Sequence, residues 1–242
     1  MNNVEFVKSL YDYSEEEIQD LYRKKKEDKD SLLEKIAKIM LIYTIVDGVM
    51  RLSKVDKDKE YNKLSKLIIA FTGANIGQIQ GSIDNILTDV SKKTFEHYSY
   101  NAKNKVIKDI VKNNFKGKHF SERVWDNEKA TGELLQKKIL EFIDGKINVN
   151  EIKSAIDKVF NNSAYEIKRL VETEVSRVHN ESFMKFCEET GVKKVKYNAT
   201  LDNRTCEDCM EYDGEIYGLY NAPSLPRHPL CRCFLQIIDL RS

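Results

Sequence analysis

Through most of the chain apolar residues recur at three- and four-residue intervals, and the elements this pattern predicts are helices. Ser14 and Glu17 form the Ser-x-x-Glu arrangement in which hydroxyl and carboxylate cap a helix start reciprocally, so a helix is expected to begin there. From Leu32 onward, Leu33, Ile36, Ala37, Met40, Leu41 and Thr44 make one face built to pack on other helices. The lysine and aspartate cluster Lys54 to Glu60 predicts a bend, and a second helix follows through Leu64, Leu67, Ile68 and Phe71. Gly73, Gly77 and Gly81 repeat every fourth residue. On a helix they would form a smooth stripe for close backbone approach, at about 1 kcal/mol of helix propensity each; the alternative is a loop. Further helices are predicted over Asp84 to Asn113, Glu133 to Ile143, Asn150 to Phe160 and Ser163 to Thr190, the last closed by Gly191.

After Gly191 the pattern changes. Val192 to Ala199 mixes β-branched and aromatic residues with lysines in partial alternation, which predicts a strand. Asp213-Gly214, between Tyr212 and Ile216-Tyr217, is a hairpin-turn signal, and Cys233 to Ile238 reads as a last apolar strand. The expected fold is mainly α with a small C-terminal β unit (α+β). Its expected divisions are an N-terminal helical region (1–118), a second helical part (119–191) and a small β module (192–242).

Composition sharpens that division, because all three prolines, Pro223, Pro226 and Pro229, fall inside the β module. Charge excludes more than it reveals: a formal net charge of +1 points to neither a nucleic-acid nor a membrane partner for the whole molecule. One stretch is basic, with Lys92, Lys93, Lys103, Lys105, Lys108, Lys112, Lys116 and Lys118 against Glu96 and Asp109, interleaved with Phe95, Tyr98, Tyr100 and Phe115. It reads either as a solvated lysine face or as a DNA contact. Ile36 to Met50 is interrupted by Lys38 and Asp47, and Leu67 to Ile83 carries three glycines, an asparagine and two glutamines, so neither reads as a membrane span. Met1 to Tyr11 lacks the pattern of a secretory signal, and maturation in the cytoplasm is expected.

The sharpest chemistry lies in the cysteines. Cys206 and Cys209 form one pair, Cys231 and Cys233 another, and His228 stands three positions before Cys231. In a cytoplasmic protein this pattern points to a tetrahedral zinc site closing a small loop-rich unit, with a reduced thiol cluster or a disulfide formed later as the other readings. Five candidates compete for four places: Cys206, Cys209 and Cys231 are expected ligands, joined by His228 or Cys233. Cys187, next to Phe186 on a predicted helix, reads as a buried core thiol, and His97, His119 and His179 as surface or packed histidines.

The order Asp202-Asn203-Arg204-Thr205-Cys206-x-x-Cys209, Tyr212-Asp213-Gly214 and Pro226-x-His228-Pro229-x-Cys231-Arg232-Cys233 resembles the Mu protein F-like family of phage head-morphogenesis proteins. The helix string from Arg169 to Asn180 and the segment Phe120 to Trp125 are similar to that family too, so the resemblance spans about Phe120 to Ile238. It implies a non-catalytic minor head protein, with the portal protein and other head proteins as partners, packaged DNA within reach and no membrane. Host cytoplasm during assembly and then the virion head are the implied locations.

Within the motif, Thr173, Arg177 and Asn180 share a helix face with Glu174 beside them. They either cross-link that helix to the β unit or are exposed. Asp202 and Arg204 are placed to organise the turn into the first cysteine pair, and Asp213, Gly214, Pro229 and Arg232 complete the structural motif. A zinc hydrolase, nuclease or deaminase is disfavoured, because Cys-x-x-Cys precedes His228 and His228 is followed by Pro229-Leu230 rather than by an acid. A zinc-stapled DNA-binding module is disfavoured as well. Cys206 to Tyr220 holds Glu207, Asp208, Glu211, Asp213 and Glu215 and no basic residue, which would repel phosphates.

Overall fold

In a computed structural model that describes residues 2–199 and 205–239, the chain is mainly helical with a small C-terminal antiparallel sheet. Its helices are α1 (Asn3–Glu17), α2 (Gln19–Ile42), α3 (Lys54–His97), α4 (Asn104–Lys112), α5 (Phe120–Ile143), α6 (Ile152–Thr190) and the short α7 (Glu207–Met210). The strands are β1 (Thr44–Val46), β2 (Val49–Arg51), β3 (Lys194–Asn198), β4 (Ile216–Gly218) and β5 (Phe234–Asp239). Two compact units divide them: Met1–Ile18, Gly81–Phe120 and Lys168–Ser242 form one, Gln19–Gln80 and Ser121–Ile167 the other.

The second unit is built on the predicted apolar faces. Leu32, Ile36 and Ile39 of α2, Leu64, Ile68 and Phe71 of α3, Leu135, Ile139 and Phe142 of α5 and Ile152 and Ile156 of α6 form one buried cluster. In the same unit the Lys25 ammonium is buried against the Glu128 carboxylate at 2.5 and 2.6 Å, a charge-assisted pair that answers the cost of desolvating both.

Several boundaries differ from expectation. Ser14 caps nothing: it lies inside α1, buried, with its hydroxyl donating to the Tyr11 carbonyl. The capping box is one helix start earlier, where the Asn2 side chain accepts from the Glu5 amide and Glu5 accepts from the Asn2 amide. Lys54 to Glu60 is the first turns of α3 rather than a bend, and Ser53 accepts from the Asp56 amide there. The chain reverses just before, in the β1–β2 hairpin, where Asp47 and Gly48 both adopt positive φ (52° and 75°) as a two-residue primed turn requires. Asn161 and Asn162 do not interrupt α6, because both face solvent and tolerate the helix.

Gly73, Gly77 and Gly81 are helical, yet a Cβ at any of them would meet nothing within 4 Å, so the stripe serves no close approach. Gly73→Ala and Gly77→Ala should therefore each stabilise the protein by about 1 kcal/mol, since alanine restricts the unfolded chain and fits the helix. Urea unfolding of each variant checks this, and a loss of stability would mean that the face is covered.

In the first unit, α6 carries the unusual sequence. Residues 171–180 are buried on every side of the helix although Glu172, Thr173, Glu174, Ser176, Arg177, His179 and Asn180 are polar. At His179, Thr94 Oγ1 donates to the Val90 carbonyl, so it accepts from Nδ1–H of the imidazole at 3.1 Å, and Nε2 stays unprotonated with no hydrogen-bond partner among the described residues. Burial holds the His179 pKa down at about 3. In the unfolded chain the same group takes its proton near pH 6.5, so it stabilises fully above that pH and progressively less as pH falls toward 3. The expected slope is about 1.4 kcal/mol per pH unit in that window. Urea unfolding between pH 7 and 4 should show it, and His179→Asn should flatten it; equal slopes in both proteins would rule out His179 as the source.

Candidate metal centre

The C-terminal module stands on the sheet β4-β3-β5, in which β3 is the middle strand and pairs antiparallel with both neighbours. Val195 and Tyr197 point inward and are buried while Lys194 is exposed, the alternation expected of a strand with one covered face. α6 closes into this sheet through Gly191 at φ 77°, with the Val192 amide returning to the Cys187 carbonyl. Asp213-Gly214 is not a hairpin turn between paired strands. It leads from α7 into β4, the Asp213 carboxylate accepts from the Ala199 amide at 2.8 Å, and Gly214 at φ 83° donates to the Tyr197 carbonyl.

Cys206 precedes α7, and its carbonyl accepts from the amides of Cys209 and Met210, so a single turn brings Cys206 and Cys209 to one side. The returning segment supplies the rest. His228 Nε2 lies 3.1 Å from Cys206 Sγ and 3.4 Å from Cys209 Sγ, and Cys209 Sγ lies 3.9 Å from Cys231 Sγ. Two ligand groups result, Cys206–Cys209–His228 and Cys209–Cys231–Cys233, each with its donor atoms within 4.8 Å of one another, and Cys209 belongs to both. None of the five cysteines is joined in a disulfide; Cys209, Cys231 and Cys233 are buried and Cys206 is half-buried.

This donor set fits a tetrahedral ion. Thiolates at about 2.3 Å from zinc lie about 3.8 Å apart on a tetrahedral edge, and a thiolate and an imidazole nitrogen about 3.6 Å apart. His228 is also oriented as a ligand. Its Nδ1 donates to the Pro229 carbonyl at 2.8 Å, which leaves Nε2 as the lone-pair nitrogen facing the sulfurs. Burial pushes the Cys209 thiol up to about 11, whereas hydrogen bonding from Cys233 draws Cys231 down to about 5. Cys187 lies elsewhere, wholly buried, its thiol raised to about 12 by burial.

α6 holds the returning segment by its polar residues. The Leu230 amide donates to Thr173 Oγ1 at 3.1 Å while Leu230 itself takes a positive φ of 63°. Asn180 Nδ2 donates to the Cys233 carbonyl at 3.2 Å, and Arg232 pairs with Glu172 at 2.9 Å over the Tyr11 ring. Arg169 lends its carbonyl to the Thr173 hydroxyl. Arg177, buried beside Glu174 at 2.7 Å, turns instead to α4, donating to the carbonyls of Ile110 and Val111. Glu172 carries no mark in the motif beyond its place in the string, and its partnership with Arg232 spans sixty residues of sequence. Asp202 and Arg204 lie outside the described residues.

The basic stretch divides. α4 buries Ile107, Ile110 and Val111 and exposes Lys105, Lys108 and Lys112 on its other side, with Lys103 and Lys116 exposed beyond its ends and Lys118 half-buried. Lys92 pairs with Asp89 and Lys93 lies over the Tyr13 ring. A cleft of about 660 Å³ opens beside His228, lined by Asp208, Arg227, Arg177 and Lys116 among others.

Fold and site together define a helical protein whose C-terminal sheet is gathered around a Cys/His cluster able to hold a metal. Residues 133–236 match the model of the family described as Phage Mu protein F like protein, a stretch that contains the cluster and the whole of α6. At the level of the family, that match supports a phage head-morphogenesis protein. Neither a curated protein nor a solved structure matches the chain. Among the described residues, no helix is long and apolar enough to cross a membrane.

Proposed function

We propose that the chain is a minor head protein: a non-catalytic component that assembles with the portal protein and other head proteins in the host cytoplasm and stays in the virion head. The observation that carries this reading is the family match over 133–236, which coincides with the cluster and its α6 supports. Zinc is the metal that this donor set suits, held by Cys206, Cys209, Cys231 and His228 as a staple. Four protein ligands leave no position for a reacting water, which is why the reading has no catalytic step. Co-expression with the neighbouring portal and capsid proteins tests it: the chain should co-purify with the portal. Proheads that assemble normally while the chain stays free would count against it.

Packaged DNA is a further partner in this reading, met by the exposed lysines of α4 and its flanks rather than by the acidic segment around α7. Affinity carried by such lysines should fall steeply with salt, and Lys105, Lys108 and Lys112 changed together to Gln should reduce the slope by about three charges' worth of released counterions. A filter-binding titration in which the wild-type chain shows no salt-sensitive affinity removes DNA as a partner.

A further inference from the structure

Tyr197 occupies the middle strand β3, fixed by backbone hydrogen bonds to Glu215 and Gly214 and paired with Leu235 of β5. Its side chain is 0% exposed, and its hydroxyl finds no partner of good geometry among the described residues. A buried phenol hydroxyl in that state costs stability unless an acceptor is supplied. Solvent cannot reach it, so the acceptor has to come from within the site. Among the described residues, the sulfurs of Cys233 and Cys209 are within its hydrogen-bonding reach. A neutral thiol is a weak acceptor, but a metal-bound thiolate is a strong one.

We infer that Tyr197 is a positioning residue of the metal centre, its O–H donating to a cluster thiolate once a metal is bound. The inference rests on the metal reading above. An O–H···S bond of this kind holds the sulfur's orientation and lowers its charge, and outer-shell donors of comparable placement change metal affinity 10- to 100-fold. The same contact accounts for an orphaned polar atom in an otherwise apolar strand face, where phenylalanine would fill the space without the desolvation cost.

Cobalt titration of the reduced full-length chain tests this, read by the thiolate-to-cobalt charge-transfer bands. Tyr197→Phe should still take up one cobalt at saturation but bind it about 10- to 100-fold more weakly, with the bands shifted because one thiolate has lost a hydrogen bond. Without metal the variant should be no less stable than the wild type, since the hydroxyl it loses has no strong acceptor there. Superimposable bands with equal affinity overturn the inference and leave the metal reading standing, and so does a weaker affinity matched by an equal loss of metal-free stability. A wild-type chain that takes up no cobalt overturns the metal reading and the inference with it. In the cadmium-loaded wild type, coupling between the Tyr197 hydroxyl proton and the metal gives the answer without any substitution; its absence with metal bound again overturns the inference.

Discussion

Removing the metal from the reduced protein should unfold the sheet β3–β5 and α7 while most helical amides stay protected. The sheet has little of its own to stand on: β4 is three residues long, and residues 222–233 between β4 and β5 contain no helix or strand. Three short strands with one covered face are at the lower limit of independent stability. Binding free energies at structural zinc sites run to about 10–16 kcal/mol, and because the site does not exist in the unfolded segment that energy is also folding energy. The hydrogen bond that Thr173 accepts, the one that Asn180 donates and the Arg232–Glu172 pair are still available after metal loss, but at about 1 to 3 kcal/mol each they do not replace it. Hydrogen exchange with and without chelator should show the loss confined to residues 194–239, and Cys209→Ser should reproduce it, since Cys209 belongs to both ligand groups. Equal protection in both states, or a metal content near zero in protein prepared under reducing conditions, would end the structural-zinc reading. Intermolecular disulfides in the same preparation would favour the oxidised alternative.

Such a module is legible in sequence because its ligands are close together and their chemistry is restrictive. A Cys-x-x-Cys and a His-x-x-Cys-x-Cys have few uses in a reducing compartment, and the chain needs only two turns to bring them together. The helical body is legible as periodicity, but its punctuation is not. Thr44 continues the three-and-four spacing of α2 and reads as part of that helix, although Asp47-Gly48 between β-branched residues is itself a hairpin signal and marks where β1 turns into β2. Ser14 and Asn2 both open a cap motif, but Ser14 is buried within α1 and its hydroxyl is given to the Tyr11 carbonyl, so only Asn2 caps a helix. Residues 171–180 are the least legible. Periodicity detects buried faces by their apolar side chains, whereas here the burial is of polar groups answered by one another, a pattern that a count of hydrophobic residues reads as surface.

Arg177 is where that internal satisfaction is most exposed to test. The side chain is 2% exposed and Glu174 0%, with Nε donating to the Glu174 carboxylate at 2.7 Å. The other guanidinium nitrogens donate to the carbonyls of Ile110 and Val111 and to Glu181. Those two carbonyls belong to the last turn of α4, where the dipole is negative; Ile110 also accepts from the Asn113 amide, and Arg177 adds to that cap while neutralising Glu174. Arg177→Met should therefore cost about 3–5 kcal/mol, because it strands a buried carboxylate and uncaps a helix at once. Arg177→Lys should recover only part of that loss, since an ammonium cannot span the same acceptors with a planar fork. The decisive variant is the double change Glu174→Gln with Arg177→Met: removing the stranded charge should leave it more stable than Arg177→Met alone, a coupling that two independent sites would not show. Urea unfolding of these three variants and of Glu174→Gln alone, which closes the cycle, measures it. A cost below about 1 kcal/mol for Arg177→Met, or strict additivity in the double variant, would mean that the pair is not what keeps the polar stretch of α6 buried.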